Sequence, residues 1–413
     1  GTISVTVSNL AGATNSVLAT LTVTNSTEPA RIVTQPPTSL NANVGQTVNF
    51  GVTAAGALPL RYQWYFNTNT VLAGQTNSAL TLSNLQLTNA GQYSVTVTNL
   101  FGSTNSTFVT LTVNSNASSE LIGWAAVAGN GLTTTTGGGN ATPILATNIA
   151  HLKSLASDGT PRVIQLSGTY VTGSSPVEIA NNKTLIGVDK FATIQGGINV
   201  SSGRYNIIVK NLNILGVGVT AATGSPVDAI AVRSAHHIWF DHLNIADGPD
   251  GNLDLTIGTD YVTVSWCKFW YTTPGRDHRL SNLIGNSSTA TATDTGKNNV
   301  TYHHNWFSTN VDQRMPRGLF GNIHIFNSYY NAPGNSYCIG SGSSASILVE
   351  NNYFKNVKSP HQSNDGNPSY IVATGNVYDA TTGNQHTGLL NVDPSGNPVP
   401  FTPPYTYTLD AAA

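Results

Sequence analysis

Charge is what this chain has least of. Only 9% of its 413 residues are Asp, Glu, Lys or Arg, against a usual share of about 25%, and the formal net charge is -2. Such a balance predicts no bulk attraction to nucleic acid or to an anionic membrane, so any basic function has to be local. Cysteine is almost as scarce. Cys267 and Cys338 make no disulfide framework, and their places in the repeat described below put them on different faces, so both are expected to be buried, unlinked thiols. No run of 18 apolar residues is present, and no membrane insertion is expected. Nothing reads as a secretory signal. What abounds is Gly, Asn, Ser and Thr, a composition that suits an all-β, turn-rich, extracellular protein.

Seven eight-residue segments share one pattern: IIVKNLNI from Ile207, IWFDHLNI from Ile238, VTVSWCKF from Val262, VTYHHNWF from Val300, IHIFNSYY from Ile323, ILVENNYF from Ile347 and IVATGNVY from Ile371. Their starts are 31, 24, 38, 23, 24 and 24 residues apart, a basic period that signals stacked repeats. Each opens with alternating apolar positions, the mark of a strand with one buried face. The fifth or sixth position usually carries Asn (Asn211, Asn305, Asn327, Asn351, Asn352, Asn376), which bonds backbone at turns and tolerates left-handed conformations. A right-handed parallel β-helix satisfies all of this, each coil pairing with the coils above and below.

Counted back from the next segment, Asp228 lies ten residues before Ile238, Asp254 eight before Val262 and Arg314 nine before Ile323. This common register predicts one strand face on neighbouring coils. Asp250, four residues before Asp254, can lean over the same patch. Asp241 and His242, by contrast, sit inside a segment and are read as structural hydrogen-bonding residues, as are His303 and His304.

Residues 1–23 overlay residues 91–113 without a gap and with 15 identities, so the chain is expected to begin inside a repeat, with residues 1–25 a partial copy forming a hairpin. The full copy, 31–113, resembles a bacterial immunoglobulin-like domain: Trp64 in YQWYF is placed as the core Trp, and Tyr93 in NAGQYSVTV as the tyrosine corner. The two antibody cysteines are absent, with Phe50 or Val52 and Val95 in their places, so packing replaces the bond. A spacer role is expected for this β-sandwich. Residues 114–120, NSNASSE, read as a linker.

From Leu121 to the end the sequence resembles the pectate lyase family, polysaccharide lyase family one. The matching elements are GWA at Gly123, Thr136-Gly137-Gly138, IWFDH at Ile238, DGNLD at Asp250, NLIG at Asn282, VTYHHN at Val300 and DQRMPR at Asp312. The resemblance implies a 121–413 β-helix domain, secreted and monomeric, acting on polygalacturonate or pectin. It implies calcium held by Asp228, Asp250 and Asp254, and Arg314 as catalytic base. Carboxylates crowded on adjacent coils agree with this, since they repel one another unless a hard cation sits among them.

The chemistry is β-elimination: loss of the C5 proton α to the sugar carboxylate, then of the C4 oxygen, giving a 4,5-unsaturated uronate. A guanidinium with its usual pKa above about 12 is an unusual base, so an alkaline optimum is expected. His278, Arg279 and Arg317 are the candidate substrate contacts, with Arg276 beside them; Arg317, three residues past Arg314, is expected on the opposite face of a strand and could equally make a structural ion pair or backbone contact. Two departures weaken the clamp. Leu280 stands where many members have a substrate-binding Lys, and Leu319 where they have a second Arg. Pectin-lyase-type action on methyl-esterified polymer and a non-catalytic polysaccharide-binding β-helix therefore stay open.

Overall fold

The computed structural model describes residues 1–22, 26–43, 46–114, 121–173, 175–217, 227–274, 278–363, 369–385, 388–390 and 401–412. The expected linker falls outside them but for Asn114, as do Arg276 and the C-terminal stretch from Asp393 to residue 400. The chain divides into two compact units, Gly1–Ser115 and Asn116–Ala413.

The first unit holds an immunoglobulin-like β-sandwich. Gly91–Asn99 is its central strand, antiparallel to Arg61–Phe66 and to Val109–Asn114, which in turn runs parallel to Ser39–Asn43. Val48–Gly51 pairs with Ala79–Leu82. Trp64 and Val95 are fully buried and paired in register. Phe50 packs edge-on to both Trp64 and Tyr93, with ring centroids 5.6 and 5.3 Å apart, so aromatic packing occupies the position of a disulfide. The Tyr93 hydroxyl donates to the Asn89 carbonyl at 2.8 Å, closing the tyrosine corner. Residues 1–20 form exposed antiparallel pairs, Thr6–Asn9 with Gly12–Asn15 and Thr2–Ile3 with Ala19–Thr20.

The second unit is a parallel β-helix. Among the described residues its three sheets contain eleven, nine and eight strands, with every pairing parallel except that of Tyr370–Thr374 with Gly388–Leu390. The segment starts stack as the period predicts: Ile207, Ile238, Val262, Val300, Ile323, Ile347 and Ile371 are consecutive partners in the eleven-stranded sheet. They form one buried column. A second column is aromatic: Phe269, Phe307, Tyr330, Phe354 and Tyr378 stack with centroids 5.1, 4.9, 4.3 and 5.4 Å apart, close to the roughly 4.8 Å between strands. One end is closed by the helix Ile149–Ser157, whose N-cap Asn148 accepts from the His151 N–H at 2.9 Å.

The asparagines divide into two adjacent columns with different work. At the fifth position Asn211, His242, Trp266, His304, Asn327 and Asn351 all turn the corner with φ between 48° and 57°. At the sixth, the amides point inward and bond the neighbouring coil: the Asn305 oxygen accepts from the Cys267 N–H at 2.9 Å, and that of Asn376 from the Asn352 N–H at 2.9 Å. Cys267 and Cys338 are free and buried. The C-terminal residues 401–412 lie along the outside: the Tyr405 hydroxyl meets Thr301 at 2.7 Å and His324 at 2.9 Å, and Asp410 meets His304 at 2.8 Å.

Candidate active site

The eight-stranded sheet carries the site. Its strands alternate strictly, so while Ile230 and Leu253 fill the core, their neighbours face out, and one outward row runs Asn199, Ala231, Asp254, Leu283, Arg317, Gly340. Asp254 is in this row; Asp228 and Arg314 are not. Asp228 precedes the strand Ile230–Arg233 by two residues, and Arg314 precedes Arg317–Gly318 by three. The single strand face expected from the register is therefore corrected: the turns between sheets differ in length, and a count taken across them does not preserve the ladder. The residues meet from the strand and from the bends leading into it.

Gly251 is the floor of the meeting place. A Cβ built there would lie 2.9 Å from Asp228 Oδ1, 3.3 Å from Asp254 Oδ1 and 3.7 Å from the Leu280 carbonyl oxygen. Two carboxylates thus look into one small gap that any side chain would fill. Asp228 is buried, and its Oδ1 has no hydrogen-bond partner. Burial raises its pKa well above the ordinary carboxylate value, and Asp254 and Asp250 raise it further, against the pull of Arg233. Asp254 is pushed up to about 6, again chiefly by burial, and is held down by the Arg314 guanidinium and by the Leu283 N–H, which donates at 3.1 Å. Asp250 is exposed beside them. Among the described residues no three or more His, Cys, Asp or Glu side chains are arranged to hold a metal ion by themselves. The oxygen-only donor set, one atom of it buried and unsatisfied, nevertheless fits a hard cation that takes its remaining ligands from solvent or substrate.

Arg314 sits in a left-handed bend with φ 63°, and its carbonyl accepts from the Asn282 N–H at 2.7 Å. The Nε atoms of Arg314 and Arg317 are buried without a hydrogen-bond partner. Because Arg314 lies outside the strand, alternation does not relate it to Arg317; Arg317 instead shares the ladder row of Asp254. His278 is exposed. Arg279 donates to the Asn310 carbonyl at 2.9 Å and accepts from the Asp312 N–H at 2.9 Å, so it braces the loop carrying Arg314. Leu280 bridges to Gln313 in the same loop. Leu319 is 3% exposed, a core residue that could not present a charged clamp.

Arg233 was not among the sequence candidates. It stands two residues past Ala231 on the same outward face, acts on both Asp228 and Asp254, and donates to Asn199 Oδ1 at 3.1 Å. The signal was present in the alternation of IAVR, once Ala231 is paired with Asp254.

A family model described as pectate lyase matches residues 97–409, and an immunoglobulin-domain model matches residues 29–99. The chain is 30% identical over 286 residues to pectate lyase A of Aspergillus niger, covering 68% of this chain and 80% of that protein. It is 31% identical over 283 residues to pectate lyase E of Dickeya chrysanthemi, covering 56% and 67%. It is also 34% identical over 174 residues to the pectate trisaccharide-lyase of Thermotoga maritima, covering 41% and 45%. No helix among the described residues is long and apolar enough to cross a membrane.

Proposed function

The chain belongs to the pectate lyase family and is a polysaccharide lyase, and from that premise we propose that it cleaves polygalacturonate by calcium-dependent β-elimination, leaving 4,5-unsaturated galacturonides. The observation that carries this reading is the gap over Gly251, where the unsatisfied Asp228 Oδ1 faces Asp254 with Arg314 beside them. Asp228, Asp250 and Asp254 would hold the calcium ion, with its remaining ligands from solvent or substrate. When bound, calcium supplies a Lewis acid that neutralises the uronate carboxylate and stabilises the negative charge developing at C5.

Arg314 takes the C5 proton. The electron pair of the broken C–H bond becomes the C4–C5 double bond as the C4–oxygen bond breaks, and the departing glycosidic oxygen keeps that bond's pair and takes a proton from solvent. Burial keeps the Arg314 Nε free of competing bonds, and the Asp254 carboxylate orients the guanidinium. Arg317, Arg279 and His278 contact carboxylates of neighbouring sugars, Arg279 also fixing the Arg314 loop. Residues 31–113 serve as a spacer and residues 121–413 as the catalytic domain of a secreted, monomeric enzyme.

Leu280 and the buried Leu319 favour a second reading, in which partly methyl-esterified pectin is the better substrate because two carboxylate clamps are missing. Initial rates on pectate and on highly methylated pectin separate the two. Isothermal titration of calcium into wild-type protein and Asp228→Asn tests the metal assignment directly: the wild type binds one ion and the variant loses that binding, while equal binding by both contradicts it.

A further inference from the structure

The outer face of the nine-stranded sheet carries chemistry that the lyase site does not use. Its outward row runs Asn213, Asn244, Lys268, Trp306, Tyr329, Tyr353, one residue per coil. Trp306 is 40% exposed, and Trp266, at the adjoining corner, 52%. Adjacent aromatics of this size left in water are the kind of surface a ligand covers.

The rings are not an open platform. Trp306 and Tyr329 are 6.2 Å apart at 31°, and Tyr329 and Tyr353 5.7 Å apart at 26°, so each ring covers its neighbour's face and the edges turn outward. Ring edges carry the positive end of the aromatic quadrupole. Among them stands Lys268, whose ammonium lies 4.3 Å from the centroid of Trp306 and 5.1 Å from that of Trp270. No carboxylate pairs with Lys268 among the described residues. Trp270 is fixed by its Nε1–H, which donates to Asn244 Oδ1 at 2.8 Å.

Three coils further, roughly 14 Å along the axis, the row meets a groove of about 540 Å³ lined by Tyr329, Tyr353 and Lys355 on one side and by Asp410, Ala411 and Ala412 of the C-terminal segment on the other. Lys355 there already pairs with Asp379 at 3.4 Å, and the same carboxylate accepts from the Tyr353 hydroxyl at 2.9 Å, so of the two ammonium groups Lys268 is the one left to a ligand.

We propose that this face is a second, non-catalytic binding site for a polyuronate chain, laid along the helix axis across Lys268 and Trp306. The Lys268 ammonium takes a carboxylate, and the exposed edge of the Trp306 indole packs against the adjoining sugar. The identity of the polymer rests on the lyase reading above. The binding does not, because it needs neither calcium nor Arg314.

The test uses the full chain carrying Arg314→Ala, so that no polymer is consumed, in affinity electrophoresis through gels containing polygalacturonate, with calcium and with chelator. Retardation is expected in both, and Lys268→Glu should weaken it at least tenfold in both. Lys268→Arg should restore it, which separates a charge contact from a folding defect. In the chain with Arg314 intact, Lys268→Glu should leave kcat on short galacturonate oligomers unchanged. Retardation unaffected by Lys268→Glu, or equal retardation by fully methyl-esterified pectin, overturns the proposal. Absence of lyase activity with retardation intact would instead count against the lyase reading alone.

Discussion

Two buried aspartates on the same β-helix have opposite surroundings. Asp241 is 2% exposed and Asp228 6%. Around Asp241 every demand is met: Ser265 donates to it at 2.6 Å, His242 Nδ1 lies at 2.8 Å and the Lys210 ammonium at 3.9 Å. Ser265 in turn accepts from the Trp239 indole at 2.8 Å. Around Asp228 two more carboxylates act more strongly than the one opposing cation, Arg233, and one of its oxygens has no partner. A buried charge that is paired and hydrogen-bonded belongs to the architecture; one left unsatisfied beside like charges costs stability unless something else arrives. The difference makes Asp241 a satisfied residue of the scaffold and leaves Asp228 with a demand that its protein neighbours do not meet.

That contrast can be broken in several places. The largest effect is expected at Arg314, where Arg314→Ala should lower kcat by about 10²- to 10⁴-fold, the usual worth of a positioned base. Asp228→Asn should weaken calcium binding by at least about 100-fold and, by removing a repelled charge, should not lower the melting temperature of the calcium-free protein. Asp241→Ala should do the reverse, costing about 3 kcal/mol in denaturant unfolding because Lys210 loses its counter-charge and Ser265 and His242 lose their hydrogen-bond partner, while calcium affinity stays the same. A smaller change, Gly251→Ala, puts a methyl group between Asp228 and Asp254 and should cost roughly tenfold in calcium affinity by titration calorimetry; its effect on stability should be minor.

The smallest effect concerns pH. His303 is held down to about 3, first by burial and then by His304, whereas an unfolded imidazole takes up its proton near 6.5. Between those values the unfolded chain binds the extra proton. The contribution of His303 is therefore full above pH 6.5 and is lost as pH falls toward 3. His236, lowered to about 4, acts in the same direction. His303→Asn should flatten that part of the stability profile, measured with calcium present throughout.

The helix was legible because its signal is local and repeated: the column from Ile207 to Ile371 needs only the period. The tyrosine corner was legible for a similar reason, since Tyr93 reaches only to Asn89. The members of the acidic site were legible as residues but not as geometry. Counting from the next sheet placed Asp228, Asp254 and Arg314 in one row, but bends of unequal length carry Asp228 and Arg314 out of it. Arg233 was missed because its neighbours become visible only when Ala231 is paired with Asp254 across the coil. The asparagine pattern concealed two functions in adjacent positions, one turning the backbone and one bonding the next coil.

The central claim is that the gap over Gly251 is a calcium site serving an elimination. The most direct measurement follows the ultraviolet absorbance of unsaturated ends formed from polygalacturonate while calcium is returned to chelated protein. The account predicts no rate in chelator and a saturable rise as calcium is added. An undiminished rate in chelator at every pH would contradict it.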